Sequence, residues 1–203
     1  MKIAITGTPG VGKSTVSKVF CDIQNYKLYD ITKIVKEKEL YYEKDESMDS
    51  YVVNFNKLKE FFEKEIYSNE NKENKKNKKN NLKNELDNNI VIEGHVSQHL
   101  DIDYDYIIVL RCEPKIIEER LKKRGYSENK IKENVEAEIM DVCLIESLER
   151  YKNDEENSKV HEIDCTNKKP DEIVKEINDA LTTDELEYGK VSWLEKYFDY
   201  LTI

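Results

Sequence analysis

The segment Gly7-Thr8-Pro9-Gly10-Val11-Gly12-Lys13-Ser14-Thr15 follows directly on the apolar run Ile3-Ala4-Ile5. It precedes a stretch that places Val16, Val19, Phe20 and Ile23 on one helical face. A short buried strand, a turn matching G-x-x-x-x-G-K-[ST] and an amphipathic helix, in that order, predict a phosphate-binding loop. Three of the chain's six glycines fall in it, where the backbone must curl so that successive N–H groups converge on phosphate oxygens at a helix N-terminus. The candidate nucleotide-binding residues are therefore Gly10, Val11, Gly12, Lys13, Ser14 and Thr15. Lys13 is predicted to reach the terminal phosphates, and Ser14 or Thr15, by motif position Ser14, to hold Mg²⁺.

Downstream, strand-like runs at 2–6, 27–30, 90–93, 105–110 and 159–163 alternate with helical patterns at 13–24, 31–40, 56–67, 114–124, 130–152 and 171–181. Such alternation predicts an α/β fold, a parallel sheet covered by helices on both faces. Pro114 and Pro170 sit just inside helices that follow strands, where a missing N–H costs nothing. In sheets of this kind ligands collect beyond the carboxyl ends of the strands, so the residues at those ends are the informative ones.

Residues 68–89 are nearly pure Asn, Lys and Glu with only Leu82 and Leu86 to bury. They read as an insertion whose composition cannot offset the entropy of ordering. Interrupted by acids and lacking an aromatic to stack a base, its lysines favour a solvated linker over an RNA contact. After about residue 182, Val191, Trp193, Leu194, Tyr197, Phe198 and Leu201 recur at helical spacing, which predicts a C-terminal helical extension over 182–203 capping the core. The four cysteines are scattered without a C-x-x-C pair, the pattern of free thiols. With no apolar span and no leader-like N-terminus, the chain is expected in the cytoplasm, or the nucleus if eukaryotic, and not in a membrane. A formal net charge of -10 disfavours general nucleic-acid binding and allows a basic protein partner.

The strand Ile90-Val91-Ile92 ends in Glu93-Gly94-His95. A carboxylate at that position is the candidate to orient Mg²⁺ or its water shell, and Gly94 permits close approach. His95 is a candidate to orient a water or donate to a phosphate, with a satisfied structural histidine as the alternative. His99 and His161 are read as structural or surface residues. Only four arginines occur, and Arg111, Arg120 and Arg124 lie between the end of a strand and Gly125. A lysine-rich chain that keeps guanidinium there points to a demand for a planar fork, as on a transferring phosphoryl group. Arg124-Gly125-Tyr126 reads as the hinge of a short lid.

Thr6 to Thr15, Glu93-Gly94-His95, Val109-Leu110-Arg111, the run Glu119 to Tyr126, and Asn167-Lys168-Lys169-Pro170 resemble, in order, the adenylate kinase isoenzyme 6 family over about residues 1–181. The resemblance implies a phosphate-loop NTPase with a five-stranded parallel sheet flanked by helices, nucleoside monophosphate kinase-like. It implies a monophosphate-binding arm at about 30–55 and a lid at about 124–134. It also implies Mg²⁺-dependent transfer of phosphate from ATP to AMP, intrinsic ATPase activity, and transient binding of a small-subunit ribosomal protein of the platform within the pre-ribosomal particle, serving small-subunit maturation and pre-rRNA processing. By the same resemblance Lys13, His95, Arg120 and Arg124 carry catalysis, Lys169 or Lys168 lies against adenine, Gly94 and Arg111 serve the substrate, and Ser14 and Glu93 serve the metal.

The chain departs from that pattern. The strand-end acid is Glu93 where many relatives carry Asp, and no arginine precedes Arg111, so Lys36 substitutes in the arm with charge but without a bidentate fork. An assembly factor using the same site to hydrolyse ATP, and a kinase of another small metabolite, are the two further readings. Sequence-specific DNA binding is not expected.

Overall fold

The computed structural model describes residues 1–45, 50–73, 89–151 and 158–201, with the side chains of 67–73 outside the description. The chain runs β1 (Lys2–Thr6), α1 (Lys13–Gln24), β2 (Lys27–Asp30), α2 (Ile31–Glu37), β3 (Tyr41–Asp45), β4 (Ser50–Val53), α3 (Phe55–Glu73), β5 (Ile90–Glu93), β6 (Tyr106–Arg111), α4 (Pro114–Lys123), α5 (Glu128–Ile139), α6 (Val142–Tyr151), β7 (Val160–Asp164), α7 (Pro170–Thr183) and α8 (Leu194–Tyr197). Short 3₁₀ turns lie at Ser97–His99 and Phe198–Tyr200.

Five strands form a parallel sheet in the order β2-β5-β1-β6-β7. Among the described residues, the β1–β2, β2–β5 and β6–β7 connections cross over through α-helix, as parallel pairing favours, while β5 and β6 are joined by a segment with only a short 3₁₀ turn. Side chains alternate between the faces: Ile3, Ile5, Ile108 and Leu110 join α1, α4, α5 and α7 in one apolar cluster. Ala4, Ile107 and Val109 join α2, α3 and α6 in the other. The three central strands β5, β1 and β6 are thus largely apolar on both sides and read as near-continuous hydrophobic runs, whereas the edge strands β2 and β7 carry polar and charged residues.

Three local departures have physical reasons. The expected helix over 130–152 is two helices, broken where Asp141 adopts φ 56°. In the arm, β3 and β4 pair antiparallel, with the rings of Tyr41 and Tyr51 4.6 Å apart. Charged β3 carries no alternating apolar signal, so this hairpin was not foreseen. The tail forms only one turn of α-helix because Tyr197 alone is deeply buried, whereas Leu194 and Phe198 are 41% and 54% exposed. Helix α3 continues through Glu73, into the Asn/Lys-rich stretch, and residues 74–88 of that stretch lie outside the described residues.

Candidate functional site

The glycine loop leaves β1 and enters α1 through three residues with positive φ, Gly7 (136°), Gly10 (100°) and Gly12 (116°). Gly7 is also constrained by space, since a Cβ there would lie 2.3 Å from the Leu110 carbonyl oxygen. Lys13 opens α1 and folds back so that Nζ donates to the carbonyls of Gly7 (2.7 Å) and Thr8 (3.2 Å). Burial pulls its pKa below the ordinary lysine value, with Glu93, Cys143 and Glu138 opposing the shift. The Ser14 hydroxyl donates to Glu93 Oε1 at 3.2 Å. Glu93 is buried at the end of β5, in register with Asp30 at the end of β2. Burial lifts the pKa of Glu93, and Asp30 adds to the rise, while Lys13 and the Ser14 hydroxyl act against it.

These groups face a cleft of about 570 Å³. Its floor is Pro9, Gly10, Gly12, Lys13, Ser14, Thr15, Glu93 and His95. One wall is the arm, contributing Asp30, Thr32, Val35, Ser50, Tyr51 and Val53, and the other is the lid region, contributing Arg124, Tyr126, Lys130, Glu133 and Asn134. Lys130 Nζ stands 4.3 Å from the centre of the Tyr126 ring. His95 lines the cleft as an exposed residue, and desolvation by the surrounding protein, followed by Lys13, His99 and Lys130, lowers its pKa to about 4. The imidazole is therefore neutral at physiological pH.

Other candidates fall outside this lining. Arg120 is half-buried behind the loop and donates to the carbonyls of Gly10 (2.9 Å) and Val11 (3.1 Å), so it holds the loop from outside the cleft. Gly94 admits α2: a Cβ would come within 2.9 Å of Ile31 Cβ. Lys36 is exposed one residue beyond Val35 of the cleft wall, and Lys169 is exposed at the start of α7. Lys168 pairs with Glu176. Arg111, read from the sequence as an acceptor-side residue, is only 1% exposed. Its guanidinium is taken up by Glu138 (2.9 Å), Glu162 (2.7 Å) and Asp141. It lies beneath the loop as part of the framework, because a strand-end side chain on the α6 face points into the sheet-helix layer and away from the cleft.

Asp30 and Glu138 were missed. Asp30 obeys the same rule that singled out Glu93, a carboxylate at the end of a strand. It also caps α2, accepting from the Lys33 N–H at 3.0 Å. Glu138 gave no local signal: it lies inside a helix and reaches the loop only through the fold, accepting the Thr8 hydroxyl. His99 pairs with Glu146 at 3.0 Å, and His161 Nδ1 accepts from the Glu187 N–H at 2.9 Å. All four cysteines are free and buried. Among the described residues no helix is long and apolar enough to cross a membrane, and no group of three His, Cys, Asp or Glu gathers as a metal cluster.

Residues 3–141 match a family described as an AAA domain. The chain is 50% identical over 203 residues to "Putative adenylate kinase" of Methanocaldococcus jannaschii, covering 100% of this chain and 98% of that one. It is 46% identical to the protein of the same name from Methanococcus maripaludis, with 98% of each covered. The Pyrococcus abyssi protein of that name is 38% identical, over 97% of this chain and 93% of that one. Among solved structures, a shikimate kinase from Bacteroides thetaiotaomicron superposes with a TM-score of 0.52 at 16% identity, covering 90% of this chain and 98% of that one. At that identity the likeness speaks for the phosphate-loop kinase fold alone.

Proposed function

The chain belongs to the family of archaeal proteins that carry the name "Putative adenylate kinase", and from that membership we propose that it transfers the terminal phosphoryl group of ATP to AMP with Mg²⁺ as cofactor. The observation that carries this reading is the convergence of Lys13, Ser14 and Glu93 on one cleft between an arm and a lid. Loop N–H groups and the positive end of α1 hold the donor phosphates. Lys13 exchanges its two loop carbonyls for phosphate oxygens, bringing a charge that the buried site stabilises poorly without an anion.

Ser14 and Glu93 supply hard oxygen donors of the kind Mg²⁺ takes, one hydroxyl and one carboxylate, leaving further positions for water and phosphate. When bound, the ion neutralises charge on the donor phosphates. An oxygen of the AMP phosphate attacks the terminal phosphorus, the bond to the bridging oxygen breaks, and two ADP result with no net proton change. Arg124 and Lys130, on the lid side, meet the charge spread over the equatorial oxygens as the lid closes. Lys36 meets the acceptor phosphate as the arm closes, and Lys169 lies beside adenine. The decisive experiment is ATP turnover with and without each nucleoside monophosphate, separating diphosphate product from free phosphate. Diphosphate formation that fails to rise with AMP overturns the reading.

Water in place of AMP gives ATP hydrolysis, and neutral His95, one of the residues lining the cleft, accepts the proton of that water in this reading. His95→Ala should therefore lower phosphate release more than transfer to AMP, since the acceptor brings its own nucleophile. Because the His95 pKa is depressed, its neutral form persists from pH 8 to below 6 and is lost only as pH falls towards about 4. Hydrolysis should show no inflection near the ordinary imidazole pKa. Equal losses in both activities would make His95 a general phosphate contact instead. Association with a small-subunit ribosomal protein enters only through the resemblance drawn from the sequence. A pull-down from small-subunit precursors that differs between ATP and a non-hydrolysable analogue tests it.

A further inference from the structure

The phosphate loop is wired to the C-terminal segment through buried charge. The Thr8 hydroxyl donates to Glu138 Oε2. The other oxygen of Glu138 accepts from Arg111 Nε at 2.9 Å and from the Cys112 N–H at 3.0 Å. Arg111 spends a second nitrogen on Glu162 Oε1 at 2.7 Å, and the second oxygen of Glu162 accepts the N–H groups of Lys190 (2.9 Å) and Val191 (3.2 Å). The tail also runs along the edge strand β7, where the Glu162 N–H donates to the Glu187 carbonyl at 2.8 Å.

Glu138, Arg111 and Glu162 are each at most 8% exposed, so none can exchange a partner for water at little cost. Thr8 is the acting end. Its carbonyl accepts both Lys13 Nζ (3.2 Å) and the Val11 N–H (3.2 Å), so its position fixes the loop and the lysine together.

We propose that Glu138 and Glu162 are positioning residues for phosphoryl transfer, and that docking of residues 187–191 on Glu162 sets, through Arg111 and Glu138, where Thr8 and Lys13 sit. The coupling is reciprocal: nucleotide in the loop changes the docking of the tail. Trp193, the single tryptophan of the chain, stands two residues beyond Val191, packed against the larger apolar cluster and edge-on to Tyr197. It reports on that docking without a label. The inference rests on the reading of the cleft as a nucleotide site, and calorimetric binding of ADP to the full-length protein tests that reading separately.

Three variants of the full-length protein test the inference. Thr8→Val keeps the shape and deletes the donor, and should lower kcat about 10- to 100-fold, the scale of a small misplacement of catalytic groups. Thr8→Ser, which keeps the hydroxyl, should recover to within about threefold of wild type. In wild type, ADP should shift Trp193 emission with the half-saturation that calorimetry gives. In Thr8→Val and Glu162→Gln the heat of binding should persist while the emission no longer responds. Three results overturn the proposal: Thr8→Val at the wild-type rate, Thr8→Ser as slow as Thr8→Val, or a silent Trp193 in wild type whose binding heat is intact. No binding heat in wild type would remove the nucleotide site itself and the coupling with it.

Discussion

Lys13→Ala is expected to reduce kcat for ATP turnover, with or without AMP, by at least about 100-fold, the scale reached when one preorganised charge or donor is withdrawn from a transition state. The fold should survive. The ammonium is buried at a position where burial depresses its pKa, so the folded state gains little from holding that charge in the absence of an anion. Of the two carbonyls it leaves, that of Thr8 still accepts the Val11 N–H at 3.2 Å. A melting temperature within a few degrees of wild type is therefore expected alongside the collapse in rate. Because Lys13 acts on charge that builds as the phosphoryl group moves, kcat should fall further than ADP affinity measured by calorimetry. Wild-type turnover in this variant would sink the assignment of the cleft.

The phosphate loop was legible because its requirements are local: three glycines at positive φ, a lysine one helical residue in, and a strand immediately before. The five strands were legible for a related reason. Burial on both faces writes the central strands β5, β1 and β6 as short apolar runs, and the two prolines at Pro114 and Pro170 mark the helices after β6 and β7. Glu93 was singled out because a strand end beside a phosphate loop is a defined place in this fold, and its carboxylate lies 3.2 Å from the Ser14 hydroxyl. What the sequence concealed is what depends on distant partners. The hairpin β3–β4 is held by pairing across the arm and by two tyrosine rings, with no alternation in β3 to announce it. The tail repeats apolar residues at helical spacing, yet it is anchored mainly by Tyr197, whose hydroxyl reaches Glu113, and by backbone contacts to β7.

Arginine gives the sharpest lesson. Scarcity in a lysine-rich chain singled out Arg111, Arg120 and Arg124, and Arg111 and Arg120 do each meet several acceptors. The inference that all three face phosphate did not follow. Arg124 is at the rim of the cleft, Arg120 grips the loop carbonyls from behind, and Arg111 is spent on carboxylates. Whether a fork meets substrate or framework depends on which side chains of α5 and β7 arrive beside it, and nothing local to Arg111 encodes Glu138 or Glu162.

Arg111→Ala should therefore act on stability before it acts on substrate. Removing the guanidinium leaves Glu138 and Glu162, whose side chains are each 1% exposed, facing one another without a cation. Breaking a buried pair in this way costs about 3–5 kcal/mol, a large part of the roughly 5–15 kcal/mol that holds a typical domain together. For a chain of this length the loss corresponds to a fall in melting temperature of about 6–20 °C. The deficit relative to wild type should appear in thermal and in urea unfolding alike. Arg111→Lys should recover only part of it, because one ammonium cannot reach Glu138, Glu162 and Asp141 from a single point. A substrate-binding arginine would behave in the opposite way: wild-type melting and a KM for AMP raised many-fold. That result would return Arg111 to the acceptor site and cut the link between the phosphate loop and the C-terminal segment.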